Sequence, residues 1–118
     1  MFKFEKLQVW EDSIEYGKKV YKTTENFPKT ELFGLTDQLK RACVSISSNI
    51  AEGSGSPSNK HFSHFLDIAM GSTIETVSQL MFAKELKYID QTSLDALYKE
   101  AEILIRKIQS LKKSLFRT

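Results

Sequence analysis

The run Ser45-Ile46-Ser47-Ser48-Asn49-Ile50-Ala51-Glu52-Gly53-Ser54-Gly55 closes one long helical pattern a few residues before another opens at Ser58. A polar-lined helix end, a glycine stop and a tight reversal between two long helices fold the chain back on itself as an antiparallel pair. Two further amphipathic patterns flank that pair. Leu7, Trp10, Ile14, Gly17, Tyr21 and Thr24 step by three and four, and Phe27-Pro28 ends them because the residue before proline is pushed out of helical geometry. Leu32, Leu35, Leu39, Ala42, Ile46 and Ile50 form the seam of the second pattern, with its stop near Gly53 or Gly55. Ser58 is the expected N-cap of the third, whose seam is Phe62, Phe65, Leu66, Ala69, Thr73, Thr76, Leu80 and Ala83. Thr92 and Asp95 have the spacing of a capping box for the fourth, whose seam is Leu94, Leu97, Ala101, Leu104, Ile108, Leu111 and Leu115.

These patterns predict one all-α domain over residues 1–118, an antiparallel up-down-up-down four-helix bundle with helices at roughly 7–26, 32–54, 58–88 and 92–116. No alternating strand pattern competes with them. Apolar residues at 41% and charged residues at 27% suit a folded chain rather than a disordered one. The single cysteine, Cys43, leaves no intrachain disulfide and no multi-cysteine zinc cluster. The first residues hold no continuous apolar segment and the longest apolar run is Leu80–Ala83, so the expectation is a cytoplasmic protein with no membrane partner.

The third helix carries more apolar surface than one core requires. Met70, Ile74, Val77 and Met81 lie to one side of its seam and widen the apolar arc to about 180°, where about 100° suffices. A deeply buried central helix is one explanation. The favoured one is a subunit interface, and hence a homo-oligomer. On the second helix Gln38, Arg41, Ser45, Asn49 and Glu52 form a polar line roughly 100° from the leucine seam, and Ser72, Glu75 and Gln79 do the same on the third. Polar groups bordering a core need partners. A buried cross-helix network that fixes register is expected here, with Arg41 facing Glu75 or Glu52. A catalytic pair, Glu52 and Glu75, is the alternative, but no base, nucleophile or metal set completes a site.

These residues are where the chain resembles the bacterial 23S rRNA intervening-sequence proteins. The likeness covers nearly the whole chain. It runs through Phe4–Trp10, Phe27-Pro28, Glu31–Thr36, Gln38–Ala42 and Ser45–Gly53, and ends with Phe62, Phe65, Leu66, Ala69, Gly71-Ser72, Glu75 and Gln79. Ser47 departs from it, standing where the family usually has proline. The resemblance implies a left-handed antiparallel bundle, a ring-like homopentamer, and genes sometimes lodged in insertions of 23S rRNA genes. A related bundle is the accessory protein of diversity-generating retroelements, which is basic, pentameric and works with nucleic acid. Neither an enzymatic activity nor a ribosomal role follows from the resemblance.

Net charge is only +2, yet from Lys99 onward six cations (Lys99, Arg106, Lys107, Lys112, Lys113 and Arg117) face two acids, Glu100 and Glu102. Such a face attracts phosphates by counterion release, and a ring would repeat it. RNA or DNA binding is therefore the alternative function, against cations that merely complement a helix C-terminus. His61 and His64 are spaced to share a metal with Asp67, but the Glu-x-x-His of bundle metal sites is missing. Gly53-Ser54-Gly55-Ser56 lacks the Gly-Lys-Ser/Thr of a phosphate loop. No cofactor, metal or small-molecule substrate is expected. The sequence leads to a non-catalytic, self-assembling bundle.

Overall fold

The computed structural model describes residues 1–117. Helices α1 (Gln8–Thr24), α2 (Leu35–Ser54), α3 (Asn59–Glu85) and α4 (Gln91–Ser114) make up most of it, with 3-10 turns at Lys3–Lys6 and Lys29–Glu31. No strand occurs among the described residues. In cross-section the helices follow one another in chain order, α1 packing on α2 and α4 and α3 packing on the same two. Short connections leave neighbours antiparallel. The resulting rod measures 48 × 24 × 21 Å. Among the described residues no helix is long and apolar enough to cross a membrane.

Three of the four seams lie where the spacing puts them, apart from Leu32, which stands ahead of α2 and is 53% exposed. Leu39, Ala42, Ile46 and Ile50 of α2, Leu66, Ala69, Thr73, Thr76, Leu80 and Ala83 of α3, and Leu94, Leu97, Ala101, Leu104 and Ile108 of α4 are buried. The first helix differs. Its core face is Val9, Ser13, Tyr16, Val20 and Thr24, followed by Phe27. Of the expected stripe only Thr24 is buried, while Leu7, Trp10, Ile14 and Gly17 are half-buried and Tyr21 is 39% exposed. Both stripes have helical spacing, rotated from each other by roughly 100°. The true one looks polar because its hydroxyls are satisfied inside the protein. Ser13 Oγ donates to Trp10 O at 2.6 Å and Thr24 Oγ1 to Tyr21 O at 2.7 Å. Tyr16 crosses the core to share a 2.8 Å hydrogen bond with Thr76 Oγ1.

The helix ends follow local chemistry and shift the expected bounds by up to three residues. Ser58 caps α3, its hydroxyl accepting the His61 N–H at 3.2 Å. The fourth helix is capped not by Thr92 with Asp95 but by Asp90, which accepts the Ser93 N–H at 2.8 Å. That donated bond also holds the Asp90 carboxyl below the usual carboxylate range. Gly53 is not the stop of α2, which runs on to Ser54 and is capped by Gly55, the other expected stop. Gly53 is instead a point of close approach, where an added Cβ would lie 2.8 Å from both Phe62 Cδ1 and Phe65 Cβ. Helix α2 starts late because Lys29–Glu31 forms its own turn and Gly34 takes the cap position. Gly34 has no side chain to cap with, and Glu31 does the work from three residues earlier. Its Oε1 accepts the Leu35 N–H at 3.2 Å, and its Oε2 accepts the Tyr88 hydroxyl at 2.8 Å. That second bond raises the Tyr88 phenol's pKa and ties the two loops at this end together.

Helix α3 ends at Glu85, and two residues on Lys87 takes φ 65°. The Lys87 N–H bonds to Lys84 O and the Tyr88 N–H to Ala83 O, both at 2.9 Å, which is the Schellman arrangement. A β-carbon is disfavoured in this left-handed conformation. Lys87→Gly is therefore expected to stabilise the fold by about 0.5–1 kcal/mol, read as a rise of a few degrees in melting temperature. A lower melting temperature would show that the lysine stem makes up for its backbone strain.

Candidate self-association surface

Four faces run along the rod, and they differ in character. The α1/α4 face is spanned by charge pairs, Lys19 to Glu100 at 3.0 Å and Lys107 to Asp12 at 2.7 Å. The α2/α3 face carries the polar line. Ser45 Oγ meets Ser72 Oγ at 2.8 Å, and Asn49 Nδ2 donates to Ser45 O and Oγ at 2.7 and 3.0 Å. Gln79 Nε2 donates to Gln38 Oε1 at 3.5 Å and to Glu75 Oε1 at 3.2 Å. Small side chains at this seam allow α2 and α3 to approach closely.

This line is not the buried network expected of it. Only Ser72 is buried; Ser45, Asn49 and Gln79 are half-buried, and Gln38, Arg41, Glu52 and Glu75 are exposed. Arg41 faces neither Glu75 nor Glu52. It bonds Asp37 one turn back at 2.9 Å, with 80% of its side chain in solvent, because an acid on its own helix is nearer than any across the seam. The register given by the Ser45–Ser72 and Gln38–Gln79 pairs sets Glu52 opposite Phe65 and Glu75 opposite Ala42. The two carboxylates are then separated by about ten residues of helix, on the order of 15 Å, and make no catalytic pair. Gln79 Oε1 is buried without a partner, so even the inner part of the line is incompletely satisfied.

The α3/α4 face is apolar over most of its length, with one ion pair, Lys112 to Asp67, spanning it toward the Asn59 end of α3. Ile74 is 58% and Met81 48% exposed, while Met70 and Val77 are half-buried against the core edge. They do not stand alone. A shallow depression of about 200 Å³ is lined by Ile74, Val77, Tyr98, Ala101, Glu102 and Ile105, so α4 contributes Tyr98 and Ile105 to the same face. These two were missed because the leucine seam of α4 accounts for that helix. Their i, i+7 spacing beside the seam was the available signal.

The cations of α4 divide into two groups. Lys107 is held by Asp12, and Lys112 by Asp67 at 2.6 Å. Lys99, Arg106, Lys113 and Arg117 are exposed and make no ion pair among the described residues. The histidine pair gathers no ligand set. Both rings are exposed, Ser58 Oγ lies 2.7 Å from His61 Nδ1, and Asp67 belongs to Lys112. Among the described residues no group of three or more His, Cys, Asp and Glu could hold a metal. Burial pushes the Cys43 thiol up to about 12, so it carries no thiolate for nucleophilic work at neutral pH.

A family model described as 23S rRNA-intervening sequence protein matches residues 5–110. The chain belongs to this family. Among solved structures it is similar to a protein with unknown function from the S23 ribosomal protein family of Bacteroides thetaiotaomicron. The two are 24% identical, with a TM-score of 0.78 over 89% of this chain and 98% of that one. That likeness carries the fold. No curated protein matches the chain. For this member of the intervening-sequence family, the segments Phe4–Trp10, Glu31–Thr36 and Ser45–Gly53 have structural duties. Phe4 packs edge-on against Trp10 with centroids 4.8 Å apart, Glu31 clamps two loops, and Gly53 admits α3. Ser47 bonds back to Val44 O at 3.2 Å within an uninterrupted α2.

Proposed function

We propose that this intervening-sequence family protein acts by assembling with copies of itself in the cytoplasm, as a scaffold rather than a catalyst. One observation carries the proposal. The Met70, Ile74, Val77 and Met81 face, widened by Tyr98 and Ile105, lies open along a bundle whose own core is already complete. Large exposed apolar patches on small proteins mark contacts with partners. A ring of five is the assembly that the family resemblance implies.

Light scattering on the purified chain tests this directly. Wild type is expected well above the 13.5 kDa of one chain. Ile74→Glu with Met81→Glu is expected to reduce it to that mass, because charges buried in an apolar contact are costly. Both positions face solvent in the single chain, so the fold should survive, and its circular dichroism should match wild type. An unchanged mass for the double variant would overturn the proposal.

A second reading, binding to a polyanion such as RNA or DNA, rests on the four exposed cations of α4. Lys99, Arg106 and Lys113 recur at i, i+7 and i+14 on a single outer stripe of α4, and Arg117 lies just beyond the helix end. Repeated around an assembly, that stripe would bind cooperatively and salt-sensitively. Gel shifts of structured RNA and duplex DNA at rising salt are expected to show complexes that weaken steeply. No complex at the lowest salt would remove this reading.

A further inference from the structure

The α3/α4 face has a counterpart on the opposite side of the rod. Helices α1 and α2 leave between them a groove of about 360 Å³ lined by Ser13, Ile14, Gly17, Tyr21, Cys43, Val44 and Ser47, with Lys18, Lys22 and Glu25 along one edge. Its floor is low because the facing residues are small: a Cβ at Gly17 would lie only 3.6 Å from Cys43 Cβ. Its walls are apolar and open, with Val44 51% and Tyr21 39% exposed. The stripe that leads the sequence pattern of α1 therefore spends its apolar surface here instead of in the core. Lys40 reaches to 5.0 Å from the Tyr21 ring and adds a third cation to the rim.

We infer that this groove is the receiving half of the self-association contact and takes the Ile74–Met81 face of a second copy, head to tail. The inference rests on the self-assembly proposed above and adds where the second copy sits. Three observations converge on it. The first is the placement of polarity around the rod. The α2/α3 and α1/α4 faces are occupied along their length by hydrogen bonds and ion pairs, whereas the α3/α4 face has one ion pair, Lys112–Asp67, near one end, leaving two mainly apolar faces on opposite sides. A two-fold contact pairs a face with itself and leaves the other in water. A single kind of contact covers both in every copy when it joins unlike faces, and such contacts build rings or filaments.

The second observation is complementarity. A low groove with a Gly17 floor faces projecting side chains, Ile74 and Met81, and methionine adapts its shape to the surface it meets. On the groove rim Lys22 and Lys40 make no ion pair among the described residues, while Lys18 is held by Glu15 and Glu25 stands beside them. The opposing face carries Glu102, and Asp95 two turns earlier on the same side of α4. The third is area. One face of a rod 48 Å long and 21 Å wide offers roughly 1,000 Å², where a stable interface needs about 800 Å² per partner.

Two full-length variants test the inference, each blocking one face: Ile74→Glu with Met81→Glu, and Tyr21→Glu with Val44→Glu. All four positions are solvent-exposed, and matching circular dichroism and thermal unfolding check the fold of each. Each variant alone is expected to fall to the mass of one chain. Mixed in equal amounts at high concentration, they are expected to form a dimer of twice that mass, since one supplies an intact groove and the other an intact face. A groove variant that keeps the wild-type mass would overturn the inference and leave self-assembly through α3 standing. A face variant that keeps it would overturn the proposed function instead. Two monomeric variants that give no dimer on mixing would show that the contact does not join unlike faces, and would also overturn the inference.

Discussion

Tyr16→Ala is expected to destabilise the fold by about 3–5 kcal/mol, the usual cost of removing a buried aromatic ring. Tyr16 is fully buried and is the largest such side chain in the core. Its ring fills the centre of the bundle, and its hydroxyl crosses from α1 to Thr76 of α3, linking helices that otherwise do not pack on each other. Tyr16→Phe separates the two contributions. Thr76 Oγ1 still donates to Thr73 O at 2.6 Å, so no hydroxyl is orphaned, and the expected cost is about 1 kcal/mol. Urea midpoints for the two variants decide between ring and hydroxyl. Equal losses would put the weight on the hydrogen bond.

The same phenol sets an alkaline limit. Burial pushes its pKa well above that of an ordinary tyrosine. A folded-state value raised above the unfolded one means the stability is fully present below the unfolded value, about 10, and falls as pH rises beyond it. Of the four tyrosines, one is expected to resist ionisation, followed by its ultraviolet absorbance, until the chain unfolds.

Gly53→Val is expected to be the other severe lesion. A β-carbon alone would sit 2.8 Å from Phe65 Cβ, which cannot withdraw without moving α3, and from Phe62 Cδ1, which can. Alanine is favoured over glycine inside a helix by about 1 kcal/mol, so Gly53→Ala sets that gain against a collision costing about 1–3 kcal/mol. Valine adds two methyls to the collision and a poorer helix propensity, and its loss should exceed that of alanine. Shortening Phe62 to alanine in the Gly53→Val background is expected to give no rescue, since the Phe65 contact remains. Recovery of the urea midpoint in that double variant would assign the constraint to the ring of Phe62 and not to the spacing of the helices.

How far the sequence could be read depended on how each position satisfies its polar atoms. On α4, Leu94, Leu97, Ala101, Leu104 and Ile108 are strongly apolar and buried, so periodicity alone located the seam. On α1 the seam includes Ser13 and Thr24, whose hydroxyls are bonded to their own helix, and hydropathy passed over it. In the more conspicuous stripe Ile14, Gly17 and Tyr21 read as core but line the groove, while Trp10 packs on Phe4. Arg41 reads as the partner of an acid across the seam, but Asp37 on the same helix takes it.

Apolar spacing and the stops between segments determined, without any coordinates, that four helices pack as one antiparallel bundle and that α3 has apolar surface to spare. Those are properties of neighbours along the chain, which share a helix face whatever lies around them. Folding decided the rest: the rotation of α1, the separation of Glu52 from Glu75, and the groove whose walls join Ile14 to Val44. Such features depend on which faces of distant segments meet, and that is chosen by packing in three dimensions, where steric fit and hydrogen-bond satisfaction outrank the local pattern.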